Sequence, residues 1–150
     1  MRTITIKDLA ALERFAREMA ASFKGGEVIG LVGDLGAGKT TFVQALARAL
    51  GVAEPVKSPT FILMQIFPTS AKKGIDRLCH VDAYRLKDWS ELAAIGFEEY
   101  AADDRTVTVV EWADRVPELH HYPSFREITF AFGESDVRTL IIDESHKAQK

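Results

Sequence analysis

The stretch Val28-Ile29-Gly30-Leu31-Val32-Gly33-Asp34-Leu35-Gly36-Ala37-Gly38-Lys39-Thr40-Thr41-Phe42 constrains this chain more than any other. An apolar run ends in a glycine-rich turn, and the turn opens a helix-patterned segment. Gly33, Gly38, Lys39 and Thr40 satisfy the spacing G-x-x-x-x-G-K-[ST], the P-loop or Walker A pattern. Glycines let successive N–H groups curl inward into an anion nest. A helix beginning near Gly38 adds unpaired N–H donors and the positive end of its dipole. Gly36 and Ala37 keep side chains out of the phosphate path. Lys39 can then reach the β- and γ-phosphates, and the Thr40 hydroxyl can ligate Mg²⁺. The expected nucleotide contacts in this stretch are Gly33, Asp34, Leu35, Gly36, Ala37, Gly38, Lys39, Thr40 and Thr41.

Length and charge bound the rest. At 150 residues the chain is expected to form one domain, residues 1–150. A chain of this size buries about 68–70% of its unfolded surface, enough for a core without metal or disulfide staples. A net charge of −3 supplies no global basic footprint for nonspecific nucleic-acid binding, so DNA is not an expected partner, although a local basic patch remains open. Cys79 is the single cysteine, which rules out an intrachain disulfide and suits a reducing compartment. No apolar run approaches the length of a membrane span, and Met1-Arg2-Thr3-Ile4-Thr5-Ile6 lacks a signal-peptide core. The expectation is a soluble cytoplasmic protein with no membrane partner.

Along the chain, Arg2 to Ile6 alternates and reads as a short strand. Asp8 can cap a helix to about Phe23 whose Leu9, Leu12, Phe15, Ala16, Met19 and Ala20 recur at helical spacing. The turn between them is structural or touches a nucleotide base. Glu27 to Val32 is apolar enough for a central parallel strand covered on both faces. The next helix runs from about Lys39 to Leu50, with Gly51 at its C′ position. Lys57-Ser58-Pro59-Thr60 reads either as a loop launching the strand Phe61 to Phe67 or as a switch-like segment with Thr60 or Ser58 sensing the γ-phosphate. Pro68 to Arg77 is a polar loop inside a long hairpin closed by Leu78 to Asp82; its Lys72 and Lys73 read as solvated loop charges or, as the alternative, contacts to a partner or RNA.

Two strand ends carry candidate acids. Asp82 ends one strand and competes for the Walker B role, holding Mg²⁺ through water or positioning the attacking water. His80, two residues earlier, reads as a core or strand histidine, and Arg85 as a charge-stabilising or ion-pairing arginine. Thr106-Val107-Thr108-Val109-Val110 is a β-branched run ending in Glu111. A strand of that kind delivers a carboxylate beside the glycine loop, where it can meet Mg²⁺ or its waters; the competing reading of Glu111 is a strand-end salt bridge. Trp112 is packing or pocket rim. Between the two acids, Asp88 or Ser90 caps a helix through Tyr100, with Gly96 as a possible break. Val116 to Pro123 reads as loop with His120 and His121 at the surface. Arg126 to Phe132 and Val137 to Ile142 form a hairpin around Gly133-Glu134-Ser135-Asp136, and 145–150 is a polar, frayed tail.

The fold expected from these elements is α/β: a P-loop NTPase-like three-layer sandwich whose mixed, mainly parallel sheet carries added antiparallel hairpins. With no N-K-x-D base-reading pattern, ATP with Mg²⁺ is the expected ligand pair. Two rival functions remain at this level, a small-molecule kinase and a nucleotide-gated binding module.

Four blocks taken together, Gly33 to Phe42, Ser58-Pro59-Thr60-Phe61, His80-Val81-Asp82-Ala83-Tyr84-Arg85-Leu86 and Val110-Glu111-Trp112, resemble the bacterial TsaE (YjeE) family across essentially the whole chain. The resemblance implies the ATPase component of tRNA threonylcarbamoyladenosine biosynthesis. Such a component has weak activity alone and works with TsaD and TsaB as threonylcarbamoyl is installed on the adenosine 3′ of the anticodon; tRNA is met indirectly. Carried over by position, Lys39 and its loop bind phosphate, Thr40 and Glu111 hold Mg²⁺, and Asp82 assists metal or water positioning. Thr60 lies in the switch-like segment, and Trp112 lies near the pocket or partner surface. Leu9, in the turn from Ile6, and Arg138, on the late hairpin, approach the nucleotide.

Overall fold

The structure, a computed structural model, describes residues 1–34, 36–57, 63–133 and 137–144. Leu35, the segment 58–62, which includes Ser58-Pro59-Thr60-Phe61, the turn residues 134–136 and the tail 145–150 lie outside the described residues.

The chain runs β1 (Arg2–Ile6), α1 (Leu9–Ser22), β2 (Val28–Gly33), α2 (Lys39–Ala49), β3 (Met64–Pro68), β4 (Arg77–Asp82), α3 (Trp89–Ala94), α4 (Phe97–Ala101), β5 (Thr106–Glu111), 3₁₀ turns at Ala113–Arg115 and Pro117–His121, β6 (Phe125–Phe132) and β7 (Arg138–Asp143). Local chemistry explains several boundaries. The Asp8 carboxylate accepts from the Ala11 N–H at 2.8 Å and caps α1. Asp88 does the same for α3 through the Ser90 N–H at 2.9 Å. Gly96, at φ 85°, separates α3 from α4.

Two sequence readings need correction. Residues 117–121 are not loop: Pro117 opens a 3₁₀ turn, and fully buried Leu119 pins it to the core. Lys72 is not simply solvated, because its ammonium donates to the carbonyls of Ala20, at 3.2 Å, and Ala21. Those carbonyls lie at the end of α1, where intrahelical donors run out.

The seven strands lie in the order β1-β7-β6-β2-β5-β4-β3. β6, β2, β5 and β4 run parallel to one another, while β1–β7, β7–β6 and β4–β3 pair antiparallel. Side chains alternate across this sheet. On one face Ile29, Leu31, Leu78, Val107 and Val109 pack with Phe15, Phe42 and Leu46 of α1 and α2. On the other, Val28, Cys79, Val81 and Val110 pack with Leu92, Phe97, Val116 and Leu119. The mixed α/β three-layer expectation holds.

Gly30 lets the second layer close. A Cβ there would stand 2.8 Å from both the Ala113 Cβ and the Phe125 ring, so the turn after β5 sits directly on β2. The register Leu31↔Glu111↔Asp82 brings the carboxyl ends of β2, β5 and β4 level with one another. Ligands of open α/β sheets bind beyond such strand ends.

Candidate functional site

The loop between β2 and α2 turns on glycine. Gly33 has φ 150°, and a Cβ on it would stand 2.6 Å from the Phe130 carbonyl oxygen. Gly38 caps α2 with φ 107°. At Gly36, with φ 81°, nothing lies within 4 Å of a Cβ position. Backbone conformation, not crowding, therefore favours glycine there.

Lys39 is 5% exposed. Its ammonium folds back over its own loop and donates to the carbonyl oxygens of Gly33 and, at 2.9 Å, Asp34. It also lies 4.1 Å from the centre of the Trp112 ring, a cation–π contact. Burial lowers its pKa from the ordinary 10.5, and the charges of Glu111, Asp114, Asp34 and Asp82 oppose that shift. Lys39 is thus a buried cation held by neutral oxygens and an aromatic face, inside a ring of acids.

Glu111 ends β5 at 2% exposure. Its Oε1 accepts from the Thr40 hydroxyl at 2.7 Å, and its Oε2 faces His80 Nε2 at 2.6 Å. Asp82 lies opposite Glu111 in the β4–β5 register, and its Oδ1 accepts from the Tyr84 N–H at 3.0 Å. Trp112 follows Glu111 at φ 59°, the one non-glycine residue with positive φ among the described residues. Its ring meets Tyr84 at 4.9 Å between centroids, and the Arg115 guanidinium approaches both rings.

A cavity of about 440 Å³ adjoins the loop. Gly36, Ala37, Gly38 and Thr41 form one wall, Ile6 to Leu9 another, and Phe130, Arg138 and Leu140 a third. Arg138 lies over the Phe132 ring at 4.5 Å. The structure therefore brings the sequence-predicted residues into two adjoining groups. Lys39, Thr40, Asp82, Glu111 and Trp112 meet at the strand ends; Leu9, Thr41 and Arg138 line the cavity. Leu35 and Thr60 lie outside the described residues.

The donor set suits a hard cation. Thr40, Glu111 and Asp82 present oxygen, and no group of three or more His, Cys, Asp or Glu that could hold a metal occurs among the described residues. The oxygens of Thr40, Glu111 and Asp82 are of the kind that would hold Mg²⁺, which keeps several waters and binds through one or two carboxylates plus phosphate. Sequence reasoning missed the partner of His80. Local spacing puts His80 and Asp82 on one face of their strand, but the pairing with Glu111 follows only from the β4–β5 register.

The site sits in a P-loop NTPase-like α/β fold. The crystal structure of Bacillus subtilis YdiB is similar, with a TM-score of 0.66 and 27% identity, over 93% of this chain and 82% of that one. The family profile described as "Threonylcarbamoyl adenosine biosynthesis protein TsaE" matches residues 6–140. The chain belongs to the TsaE family. Among proteins named tRNA threonylcarbamoyladenosine biosynthesis protein TsaE, that of Bacillus subtilis is 39% identical over 117 residues, 78% of this chain and 68% of the relative. That of Aquifex aeolicus is 45% identical over 104 residues, 68% of this chain and 69% of the relative. Among the described residues no helix is long and apolar enough to cross a membrane.

Proposed function

We propose that this chain binds and hydrolyses ATP with Mg²⁺ as the nucleotide-driven component of tRNA threonylcarbamoyladenosine formation in the cytoplasm. TsaD and TsaB are its protein partners, and tRNA is met through them. The observation that carries the reading is the convergence of Lys39, Thr40 and Glu111 at a glycine loop whose Gly36, Ala37 and Gly38 line a cavity.

The cavity takes the nucleoside end, with Leu9 and Arg138 on its walls, and the loop takes the phosphates. Lys39 leaves the Gly33 and Asp34 carbonyls and the Trp112 face for the β- and γ-phosphates, a charge-assisted exchange. Backbone N–H groups at the start of α2 donate to the same oxygens. Thr40 and Glu111, with Asp82, would hold Mg²⁺. When bound, the ion neutralises phosphate charge that grows during transfer. Asp82 and Glu111 orient a water for in-line attack on the γ-phosphorus, and Lys39 and the loop absorb charge on the leaving oxygens.

The test is phosphate release from ATP and Mg²⁺ by the purified chain, alone and with purified TsaD and TsaB. Weak release alone, raised by the partners and absent in Lys39→Ala, is expected. Unstimulated release, or near-normal release in Lys39→Ala, would overturn the proposal.

A further inference from the structure

The Glu111 carboxylate has two anchors, and they differ in kind. Thr40 is one of the groups assigned to Mg²⁺, and its hydroxyl can donate to Glu111 Oε1 while a lone pair of the same oxygen would face the ion. His80 would take no part in holding the ion. It is fully buried on β4, opposite Val109 in the β5 register, and its Nε2 meets Glu111 Oε2 at 2.6 Å. A carboxylate offers only acceptors, so the ring carries its proton on Nε2 and donates. The other ring nitrogen, Nδ1, is buried with no hydrogen-bond partner among the described residues. Leaving a bare acceptor unpaired is the commoner situation; an orphaned buried N–H is the rarer defect.

We infer that His80 is a positioning residue: it holds Glu111 Oε2 in the core so that Oε1 stays aimed at Thr40 and the metal position through binding and turnover. This rests on the Mg²⁺-nucleotide reading above. A glutamate has three side-chain torsions, and a second-sphere donor removes that freedom before the ion arrives. Loss of such partners lowers metal affinity by about 10–100-fold. β4 supplies the donor from a rigid strand, and Asp82 stands two residues further along that strand at the register position of Glu111.

The test is calorimetric binding of ADP in Mg²⁺ and in EDTA, with thermal midpoints recorded, for wild type, His80→Phe and His80→Gln. Phenylalanine fills the space without a donor; the glutamine amide can return one. Wild type should bind ADP more tightly with Mg²⁺. His80→Phe should lose about tenfold of that gain at unchanged metal-free affinity, and His80→Gln should recover most of it. Should His80→Phe fail to fold, His80→Met replaces it in the same comparison. A full Mg²⁺ gain in the donor-less variant would overturn the role of His80 and leave the nucleotide site standing. So would parallel loss with and without metal, or no recovery by glutamine. Absence of any Mg²⁺ gain in wild type would overturn the metal reading and the His80 assignment together.

Discussion

The Thr40 hydroxyl donates to the Glu111 carboxylate across 2.7 Å, joining residues 71 apart in the chain. That contact ties the first turn of α2 to the end of β5 at the mouth of the glycine loop. It exists because β2 and β5 pair in parallel with Leu31 beside Glu111, which sets the carboxylate level with the helix start.

The two oxygens of Glu111 separate charge from bonding. In Glu111→Gln, the amide oxygen can accept from His80 while the amide nitrogen donates to Thr40, so stability should change by less than about 1 kcal/mol. The Mg²⁺-dependent part of nucleotide affinity should fall sharply, because the anionic ligand is gone. Glu111→Ala strands the buried His80 donor and should cost about 1–3 kcal/mol in addition. Urea unfolding and ADP titration on both variants check this; an equal stability loss in the two would contradict it.

Trp112 holds a left-handed backbone at φ 59°. A residue with a Cβ pays about 1–2 kcal/mol there, and glycine does not. Trp112→Gly and Trp112→Ala both lose the indole over Lys39, so their difference isolates the backbone. Trp112→Gly should unfold at the higher urea concentration of the two, by about 1 kcal/mol of stability. The reverse order would show that the turn relaxes out of this conformation once the ring is removed.

Gly30→Ala should destabilise by about 1–3 kcal/mol, the range for overpacking. The new methyl would meet the Ala113 Cβ and the Phe125 ring at 2.8 Å. Because Ala113 opens the turn next to Trp112, nucleotide affinity should weaken as well. Chemical denaturation read beside ADP binding checks both effects; a neutral change in stability would contradict the close packing.

Burial pushes the Cys79 thiol up to about 12 from an ordinary 9.0, with the neighbouring Thr108 opposing only in part. Between those values the folded chain keeps a proton that the unfolded chain gives up. Stability changes with pH as protons bound unfolded minus protons bound folded, so this group makes stability fall as pH rises from 9.0 toward about 12. At pH 8 the native thiol should resist a thiol reagent and react fast in denaturant. Rapid native labelling would contradict its burial.

Features written in short-range chemistry were legible. The Asp8 cap, the β2 run into Gly33 and the Asp88 cap are each decided within a few residues. The carboxylate at the end of β5 was legible because a β-branched run must stop somewhere useful. What depends on pairing was not. Nothing near Val28 says that β6, from the far end of the chain, lies against β2. His80 reads as a core histidine from its own strand and becomes a partner of Glu111 only through the β4–β5 register. Lys72 looks solvated until its loop is folded against α1, where it finds the carbonyls of the helix's last turn. The positive φ of Trp112 had no local signal, since glycine is the residue that usually announces it.

The measurement that tests the central claim most directly is equilibrium binding of ADP with Mg²⁺ to wild type and to Lys39→Ala. The ammonium of Lys39 is held on the carbonyls of Gly33 and Asp34, from which it would pass to phosphate. A charge-assisted bond to phosphate is worth about 1.5–3 kcal/mol, so Lys39→Ala should bind about 10–100-fold more weakly with its fold intact. Equal binding by the two proteins, or no binding by wild type, would contradict the phosphate site.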